Sequence, residues 1–403
     1  MTNLLDGITA IDWTQAHNGA ATGYMLGDLG ADVIKVEDPQ GDLARTFRSI
    51  MGVSMELPGG RNVLFEGANR NKRSITLNLK SPEGNRIFRE LVGRADVLVT
   101  NYRRGVRQRL SLDYEHLSSD NPRLIYGVAS GYGEQGFAGD ERSYDNTAFA
   151  WSGMMHLIGE DESPPLYMTP GAADQLGATM LAQGILGALY FRERTGKGQR
   201  VEASLLGALV HFLALPLNNY LMGGRMPKRP TRHKIFNPLV GWYQCADDRW
   251  LMFSLNQPQQ SWHDFCEALV LGEEVENNLK FNSTRARADN CEELIGIIDR
   301  VAATRPRDEW LSRCRARDLI CAPVNSVQDI GQDEQLAANG YIFDLDHEVL
   351  GNTKTIGFPI TFSQAQPEVK AVAPELGQHT EEILLDIGYS WDDITGFQEK
   401  GAI

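Results

Sequence analysis

One aspartate stands where a carboxylate could do chemistry. Asp174 follows the small residues Gly171, Ala172 and Ala173 and precedes a run that predicts a long helix. Position alone is explained by an ordinary N-cap. However, small neighbours leave space for a ligand, and a helix N-terminus would keep the carboxylate ionised and could steady a developing oxyanion. A carboxylate that attacks an acyl group forms an anhydride, so both a cap and a nucleophile remain open.

A basic cluster lies directly after a predicted strand. The segment Asn101–Arg109 carries four arginines within seven residues, and Lys72, Arg73 and Lys80 border the preceding strand. The carboxyl ends of parallel strands are where open α/β sheets bind ligands, and the planar guanidinium suits phosphate. The cluster favours a phosphorylated ligand, although a solvated helix face that balances nearby acids remains the alternative.

The glycines after the first strand suggest a dinucleotide site but do not complete one. Gly19 and Gly23 are followed by a strand that ends in Glu37, whereas the middle glycine of G-x-G-x-x-G is replaced by Ala21. Without it the backbone cannot approach a pyrophosphate closely. Close packing of helix on strand explains Gly19 and Gly23 equally well, and an NAD or FAD oxidoreductase stays a minor alternative.

Composition excludes several other classes of protein. The chain has 403 residues, 39 Lys and Arg against 53 Asp and Glu, and a net charge of −14, which argues against general binding to nucleic acid or anionic membrane. The five cysteines show no C-x-x-C pair, so we expect reduced, buried thiols and no zinc site. No signal peptide, P-loop or nucleophile elbow is evident, and the predicted location is cytoplasmic.

Alternating elements must position these residues. Strands are predicted at 8–13, 31–37, 74–79, 96–100, 124–129 and 200–204, and helices at 19–29, 82–92 and 176–194. Strands spaced by helices indicate βαβ units and a mostly parallel sheet, hence an α/β fold. The uncharged run 205–224 is interrupted by His211, Pro216, Asn218 and Asn219, which favours a buried helix followed by a linker over a membrane span.

The remaining chain divides by composition. We predict a large domain at 1–222, a linker rich in Pro, Lys and Arg at 223–238, a small domain at 239–330 that holds every cysteine, and a C-terminal segment at 331–403. A helix is expected to start near His379.

Short motifs along nearly the whole chain resemble those of the class III (family III) CoA-transferases, the CaiB/BaiF type. They include LDGI at 5–8, GADVIKVE at 30–37, NKRSI at 71–75, ADVLVTNY at 95–102, SGYG at 130–133, TGKGQRV at 195–201, ANGY at 338–341 and APELGQHT at 373–380. Each motif is weak alone, but their order and spacing are specific.

The resemblance implies a function and roles for individual residues. It implies covalent catalysis by Asp174 through an aspartyl mixed anhydride and an aspartyl-CoA thioester, with acyl-CoA as a substrate, no permanently bound cofactor and no metal. It implies a Rossmann-like large domain, a smaller α/β domain and an interlocked homodimer, with the C-terminal segment returning to the large domain. The positions that match CoA contacts of formyl-CoA transferase are His17, Asn18, Leu77, Lys80, Asn101, Tyr102, Arg103, Arg109, Arg142 and Tyr144.

Two departures refine the resemblance. The glycine-rich loop of formyl-CoA transferase is missing, with Phe236-Asn237-Pro238-Leu239 in that region, which makes the chain more similar to 2-hydroxyacyl and aryl-lactate CoA-transferases. The related α-methylacyl-CoA racemases have a histidine where this chain has Tyr144, and a phenol is a poor proton acceptor at neutral pH. Racemase and a non-catalytic CoA-binding partner subunit stay as alternatives.

The acceptor acid is predicted from the missing loop and from aromatic residues. Trp151, Phe236, Leu239 and Trp242 are expected near the acyl pocket, although they could equally be core residues. We expect a medium-sized acid with an aromatic or branched side chain, which could also bear a hydroxyl or a second carboxylate.

Overall fold

The computed structural model describes residues 3–229 and 231–403. Met1 and Thr2, at the start of the predicted large domain, and Pro230, in the predicted linker, lie outside the described residues. The chain forms two compact units. The first comprises residues up to Met155, Tyr167–Pro227 and Asn339–Ile403, and the second comprises His156–Leu166 and Lys228–Ala338.

The strands are as follows: β1 Thr9–Trp13, β2 Asp32–Glu37, β3 Ser49–Ile50, β4 Val53–Ser54, β5 Lys72–Thr76, β6 Val97–Thr100, β7 Ile125–Ser130, β8 Gln199–Ser204, β9 Val240–Gln244, β10 Trp250–Ser254, β11 Cys321–Val324, β12 Ile342–His347 and β13 Gly351–Ile356.

The α-helices are as follows: α1 Asn18–Asp28, α2 Val63–Asn69, α3 Pro82–Arg94, α4 Arg104–Arg109, α5 Tyr114–Asp120, α6 Asp145–Ser152, α7 Ala172–Thr195, α8 Leu205–Phe212, α9 Ala214–Gly223, α10 Trp262–Leu269, α11 Glu273–Glu276, α12 Thr284–Asp289, α13 Cys291–Ala302, α14 Arg307–Arg315, α15 Val327–Ile330, α16 Glu334–Ala338, α17 Thr380–Asp386 and α18 Trp391–Glu399. Single 3₁₀ turns occupy Leu43–Arg45, Pro58–Gly60 and Met154–His156.

A six-stranded parallel sheet organises the first unit, in the order β5-β2-β1-β6-β7-β8. Counted along the chain, its strands run 3-2-1-4-5-6, the doubly wound order. The order reverses between β1 and β6, where Ile11 pairs with Leu98 and Trp13 with Thr100. The predicted α/β fold with parallel strands is confirmed, and ligands of such sheets bind outside the carboxyl ends of the strands at this reversal.

Both faces of this sheet are buried. On one face Ile11, Trp13 and Leu98 pack with α3 and with residues of the C-terminal helices α17 and α18. On the other face Ala10 and Val97 pack with α1 and α7. The C-terminal segment is hydrogen-bonded to β5, since the His379 N–H donates to the Ser74 carbonyl over 2.9 Å.

The second unit contains an antiparallel sheet of three strands in the order β11-β10-β9. Helices α10, α13 and α14 contribute residues to its hydrophobic core. All five cysteines are free thiols, four of them buried and Cys321 half-buried.

The run 205–224 differs from its prediction as a buried helix followed by a linker, because a second helix follows the first. It forms α8 and α9, bent by 73° at the break, and none of the residues of α9 is buried. The bend follows from Pro216, which has no N–H to donate to the carbonyl of Phe212 and so cannot continue α8. Among the described residues, no single helix is long and apolar enough to cross a membrane, and only this bent pair passes by length and composition.

The other differences are smaller. The third sheet strand begins at Lys72 rather than Ser74 and ends at Thr76, because its last pair is Glu37 with Thr76. Just beyond the strand, the Leu77 N–H still donates to the Glu37 carbonyl over 2.8 Å, and the Leu77 side chain is buried in the core. The tail also contains the antiparallel hairpin β12–β13, which the sequence analysis did not predict, and the predicted final helix is two helices.

Candidate functional site

A cavity of about 390 Å³ lies in the first unit at the reversal of strand order. Its lining comes from the loops after β1 and β6, from residues around the start of α6, and from the first turn of α7. The predicted site residues that line it are His17, Asn18, Asn101, Tyr102, Arg103, Arg142, Tyr144 and Asp174. The fold therefore brings together residues that lie more than 150 positions apart in the chain.

The loop between β1 and α1 is held in a strained conformation. Ala16 has φ +60°, a left-handed backbone that costs an alanine roughly 1–2 kcal/mol. The Ala16 N–H donates to Asp42 over 2.9 Å. The Asn101 side chain accepts from the Gln15 N–H at 2.9 Å and donates to the Gln15 carbonyl at 2.6 Å. Asn101 thus orients this loop, which presents His17 and Asn18 to the cavity.

Buried charged side chains stabilise the same loop. Lys72 Nζ lies 2.6 Å from Asp12 Oδ2, and both side chains are fully buried. Lys35 Nζ donates to the Thr14 carbonyl over 3.0 Å and pairs with Asp42 at 2.8 Å. Burial alone would raise the pKa of Asp12, but Lys35 and Lys72 outweigh it and lower that pKa. This cluster is electrostatically compensated and fixes the β1 end of the cavity.

Gly19 and Gly23 of α1 serve close packing, one of the two interpretations left open by the sequence. A Cβ on Gly19 would lie 2.5 Å from the Thr14 methyl carbon. A Cβ on Gly23 would lie 2.8 Å from Asp12 Oδ2 and 3.1 Å from Lys72 Nζ. These glycines make room for the strand and its buried ion pair.

His17 is held as a neutral imidazole. Its Nε2 lies 3.2 Å from Gln175 Oε1, which can only accept, so Nε2 carries the proton. Gln175 in turn donates to the Tyr24 hydroxyl over 2.8 Å. Burial lowers the pKa of His17, although the bond to Gln175 opposes the shift. The chain Tyr24–Gln175–His17 therefore fixes both the orientation and the tautomer of the ring.

Asp174 is not the helix cap that its position allowed. The N-cap is Gly171, with φ +79°, and Asp174 is the third residue of α7. Its N–H donates to Asp145 Oδ1 over 3.0 Å. Within the described chain, no hydrogen bond to its carboxylate is found, and this group lines the cavity. The side chain is therefore available to a ligand.

The electrostatics of Asp174 differ from expectation. Burial, and then the negative charge of Asp145, raise the pKa of Asp174 to about 7. The prediction that the helix N-terminus keeps this carboxylate ionised is wrong at mildly acidic pH, because loss of hydration and a like charge oppose ionisation. Titratable groups with such shifts in clefts are typical of functional sites.

The basic cluster contributes unequally to the site. Arg103 and Arg104 are exposed at the cavity and can meet an anion. Arg107 is buried and pairs with Glu134, and its Nε donates to the Tyr102 carbonyl over 2.9 Å. Lys72 is buried against Asp12 and Arg73 is engaged by three acidic side chains. The expectation of phosphate binding is wrong for Arg107, Lys72 and Arg73, because the charge of each is already paired within the fold.

Some predicted site residues lie apart from the cavity lining. Leu77 is buried in the core of the first unit, whereas Lys80 and Arg109 are exposed. Trp151 belongs to the first unit and is half-exposed. In the second unit, Leu239 is a core residue, whereas Phe236 and Trp242 line a cavity of about 690 Å³.

Three residues of the site were not given a role by sequence reasoning. Asp145 and Gln175 contact Asp174 and His17 as described, and Tyr167 donates its hydroxyl proton to Asp145. Asp145 and Gln175 adjoin the predicted residues Tyr144 and Asp174, which is the only signal the sequence offers. Among residues 3–229 and 231–403, no group of three or more His, Cys, Asp or Glu side chains could hold a metal ion.

Comparison with known proteins gives matches along nearly the whole chain. The model of CoA-transferase family III matches residues 5–380. The chain is 30% identical to an (R)-2-hydroxy-4-methylpentanoate CoA-transferase of Clostridioides difficile, over 99% of each chain. It is 30% identical to a formyl-CoA:oxalate CoA-transferase of Shigella sonnei, over 100% of each.

Solved structures show the same architecture. A CAIB/BAIF family protein from Brucella suis superimposes with a TM-score of 0.86 at 29% identity, covering 96% of this chain and 100% of that one. A protein from Mycobacterium tuberculosis gives 0.79 at 25% identity, covering 94% and 98%. Since the family match spans nearly the whole chain and the fold agrees, the protein belongs to CoA-transferase family III and is a CoA-transferase.

Proposed function

We propose that this enzyme transfers CoA from an acyl-CoA donor to a carboxylic acid by covalent catalysis at Asp174. The observation that carries the proposal is a carboxylate in the cavity at the strand reversal that receives no hydrogen bond from the described residues. A pKa of about 7 makes it a better nucleophile than an ordinary aspartate and still leaves it largely ionised above neutral pH.

The proposed reaction has four balanced steps. The Asp174 carboxylate attacks the donor thioester, forms a mixed anhydride and releases CoA thiolate. The thiolate attacks the aspartyl carbonyl, gives an aspartyl-CoA thioester and releases the donor acid as its carboxylate. The acceptor carboxylate attacks this thioester, which forms a second anhydride and frees the thiolate. The thiolate then attacks the acceptor carbonyl, and Asp174 returns as a carboxylate.

CoA is proposed to lie along the loops after β1 and β6. His17, Asn18 and Tyr102 would line its thiol end, and the exposed Arg103 and Arg142 would meet its phosphates. Leu77, Lys80 and Arg109, which lie outside the cavity lining, are proposed to contact the distal nucleotide as the family resemblance implies. Asn101, whose amide is bonded to Gln15, would act mainly through that loop.

Trapping tests the nucleophile directly. Wild-type enzyme incubated with acyl-CoA and hydroxylamine should become modified at Asp174, as mapped by mass spectrometry. Asp174→Ala should lose at least about 10³-fold in kcat. Modification at another carboxylate, or full activity of Asp174→Ala, would overturn the assignment.

The proposed acceptor is a medium-sized branched or aromatic acid, which could also carry a hydroxyl. The relative named for (R)-2-hydroxy-4-methylpentanoate supports this class. The alignment with this relative covers 404 positions, nearly the length of this chain. The alignment with the formyl-CoA:oxalate relative covers 429 positions, so it contains more gaps in this chain. A panel of acids with acetyl-CoA and succinyl-CoA as donors tests it, and formate or oxalate as the best acceptor by kcat/KM would contradict it.

We further propose an interlocked homodimer of roughly 90 kDa, twice the chain mass of 44.8 kDa. Exposed apolar side chains of α7, α8 and α9 support a large covered surface: Tyr190, Phe191, Phe212, Leu215, Leu221 and Met222. Large apolar side chains exposed together on a protein surface are typical of interaction sites. Light scattering that shows a monomer at every concentration would contradict the dimer. A cytoplasmic location stays a prediction.

A further inference from the structure

Two carboxylates, those of Asp145 and Asp174, lie close together at the start of α7. Asp145, the first residue of α6, accepts the N–H of Asp174 through Oδ1 at 3.0 Å. Its other oxygen accepts the hydroxyl proton of Tyr167. These two bonds, from separate parts of the chain, hold the Asp145 carboxylate beside the first turn of α7. Nothing in the reaction proposed above uses Asp145.

Other charges near Asp174 are weaker or more distant. His17, immediately before α1, is neutral and bonded to Gln175. Tyr167 carries its proton, because burial and Asp145 raise the pKa of its phenol. The remaining charged side chains that line the cavity are Arg103, Arg104, Glu134, Glu141 and Arg142. The three arginines and Glu141 are exposed to solvent. Glu134 pairs with Arg107 and Arg200. Asp145 is therefore the charge that acts most strongly on Asp174.

We propose that Asp145 is a positioning residue whose negative charge drives Asp174 toward its covalent intermediates. The proposal rests on the function proposed above. When Asp174 forms the anhydride or the thioester, its side chain changes from an anion to a neutral acyl group. Repulsion between the two carboxylates is then relieved, so Asp145 destabilises the resting enzyme relative to both intermediates. The same repulsion makes the Asp174 carboxylate more basic and hence more nucleophilic.

This arrangement has a cost at low pH. Since the pKa of Asp174 is raised to about 7, half of the nucleophile is protonated near neutrality. The acid limb of kcat/KM against pH, which reports the ionisation of the free enzyme, should therefore lie near pH 7. Removal of the Asp145 charge should lower both the pH of this acid limb and the maximal rate. Misfolding would lower the rate without moving the acid limb.

The test uses full-length enzyme with charge variants of one residue. Asp145→Asn keeps an oxygen that can accept the Asp174 N–H but removes the charge. We expect its acid limb to fall by about one pH unit and its rate on the alkaline plateau to fall roughly tenfold, since one unit corresponds to a factor of ten. The fraction of enzyme trapped by hydroxylamine should fall with it. Asp145→Glu, which retains the charge, should restore the limb to near pH 7.

Two further variants separate charge from structure. Tyr167→Phe removes one of the two hydrogen bonds to Asp145 but neither charge. Because the bond from the Asp174 N–H still holds Asp145 in place, the acid limb should remain close to that of wild type. Asp161→Asn, an exposed carboxylate of the second unit, serves as a matched control for net charge. Asp145→Ser, whose hydroxyl can also accept the Asp174 N–H, replaces Asp145→Asn if that variant does not fold.

The outcomes distinguish this inference from the proposed function. An unmoved limb in a folded, active Asp145→Asn or Asp145→Ser enzyme overturns the role of Asp145, as does an equal shift in Tyr167→Phe. If Asp174→Ala is inactive in that case, covalent catalysis still stands. If Asp174→Ala keeps full activity, the proposed function fails, and with it this inference.

Discussion

Two aspartates of the first unit, the buried Asp12 and the half-buried Asp174, have opposite surroundings. Asp12 on β1 lies 2.6 Å from Lys72, accepts the Thr14 hydroxyl at 2.5 Å and has a lowered pKa. Asp174 on α7 receives no hydrogen bond from the described residues, lies beside another carboxylate and has a pKa of about 7. A carboxylate that is compensated by a cation and hydrogen bonds, such as Asp12, contributes to the stability of the fold. An uncompensated carboxylate, such as Asp174, is destabilised as an anion and is therefore more reactive.

The comparison also explains how the site is supported. Asp12, Lys35 and Lys72 cannot meet substrate, because all three are fully buried. They hold the loop that carries His17, whereas Asp174 lines the cavity. Charged residues of a predicted site thus divide into those that bind ligand and those that hold its framework, and burial with a paired partner identifies the second group.

The largest expected effect comes from breaking the compensated cluster. Lys72→Met leaves Asp12 buried, with Lys35 Nζ at 4.0 Å as its nearest cation. We expect the free energy of unfolding to fall by about 3–5 kcal/mol, the range for a buried charge that loses its partner. Urea denaturation at pH 7 measures it, with Lys197→Met as an exposed control. A loss below about 1 kcal/mol would mean that the pair is not needed for stability.

Asp174→Asn should act in the opposite direction. The folded-state pKa of about 7 exceeds the ordinary value of 3.8, so the folded protein binds more protons than the unfolded chain between these values. Wild-type stability therefore falls as pH rises from about 4 to 7, and the variant escapes this loss. We expect Asp174→Asn to be more stable by about 1–3 kcal/mol at pH 8, with no difference near pH 4.

Thermal unfolding at several pH values checks this prediction. Asp161→Asn, which replaces an exposed carboxylate, is the control and should show no such pH dependence. A variant that is destabilised at pH 8 would show that Asp174 is compensated in the resting enzyme.

A smaller effect is expected in the strained loop. Ala16→Gly relieves the left-handed backbone at φ +60° but increases the entropy of the unfolded chain. The net result should be a gain of about 0.5–1 kcal/mol. The matched control is Ala20→Gly, inside α1, which should lose about 1 kcal/mol. A loss in Ala16→Gly, measured by urea denaturation, would show that the alanine is not strained.

The smallest effect is expected at an exposed ion pair. Arg285 Nε lies 2.9 Å from Asp289 on α12, and both side chains are largely exposed. Arg285→Ala should change the free energy of unfolding by less than about 0.5 kcal/mol, because water and salt screen such pairs. A loss as large as that of Lys72→Met would remove the distinction between compensated buried pairs and surface pairs.

The six-stranded sheet is more predictable from the sequence than the bent helix pair and the C-terminal segment. The apolar strand β6 and the helix that begins at Pro82 were found at nearly their observed bounds, because local patterning and capping specify them. The bend between α8 and α9 was missed, although Pro216 was noted. The hairpin β12–β13 was missed because its strands carry many polar residues and pair only with each other.

The candidate site shows the same division. Sequence motifs identified Asp174 and the loop residues His17 and Asn101, which the structure places around one cavity. They did not show that Asn101 bonds the Gln15 backbone, or that Lys72 is neutralised by Asp12. Those partners lie 86 and 60 positions away, and separation along the chain does not reveal distance in space.

The sequence by itself determined the α/β class, the family motifs and the identity of the one aspartate with small neighbours at a helix start. These properties follow from local periodicity, turn residues and residue type. Only the tertiary structure decided the state of that aspartate. Its pKa depends on the water removed by packing and on Asp145, which precedes it by 29 positions and reaches it only when α6 and α7 meet. Burial and charge act through space, so which carboxylates are compensated is fixed by the fold.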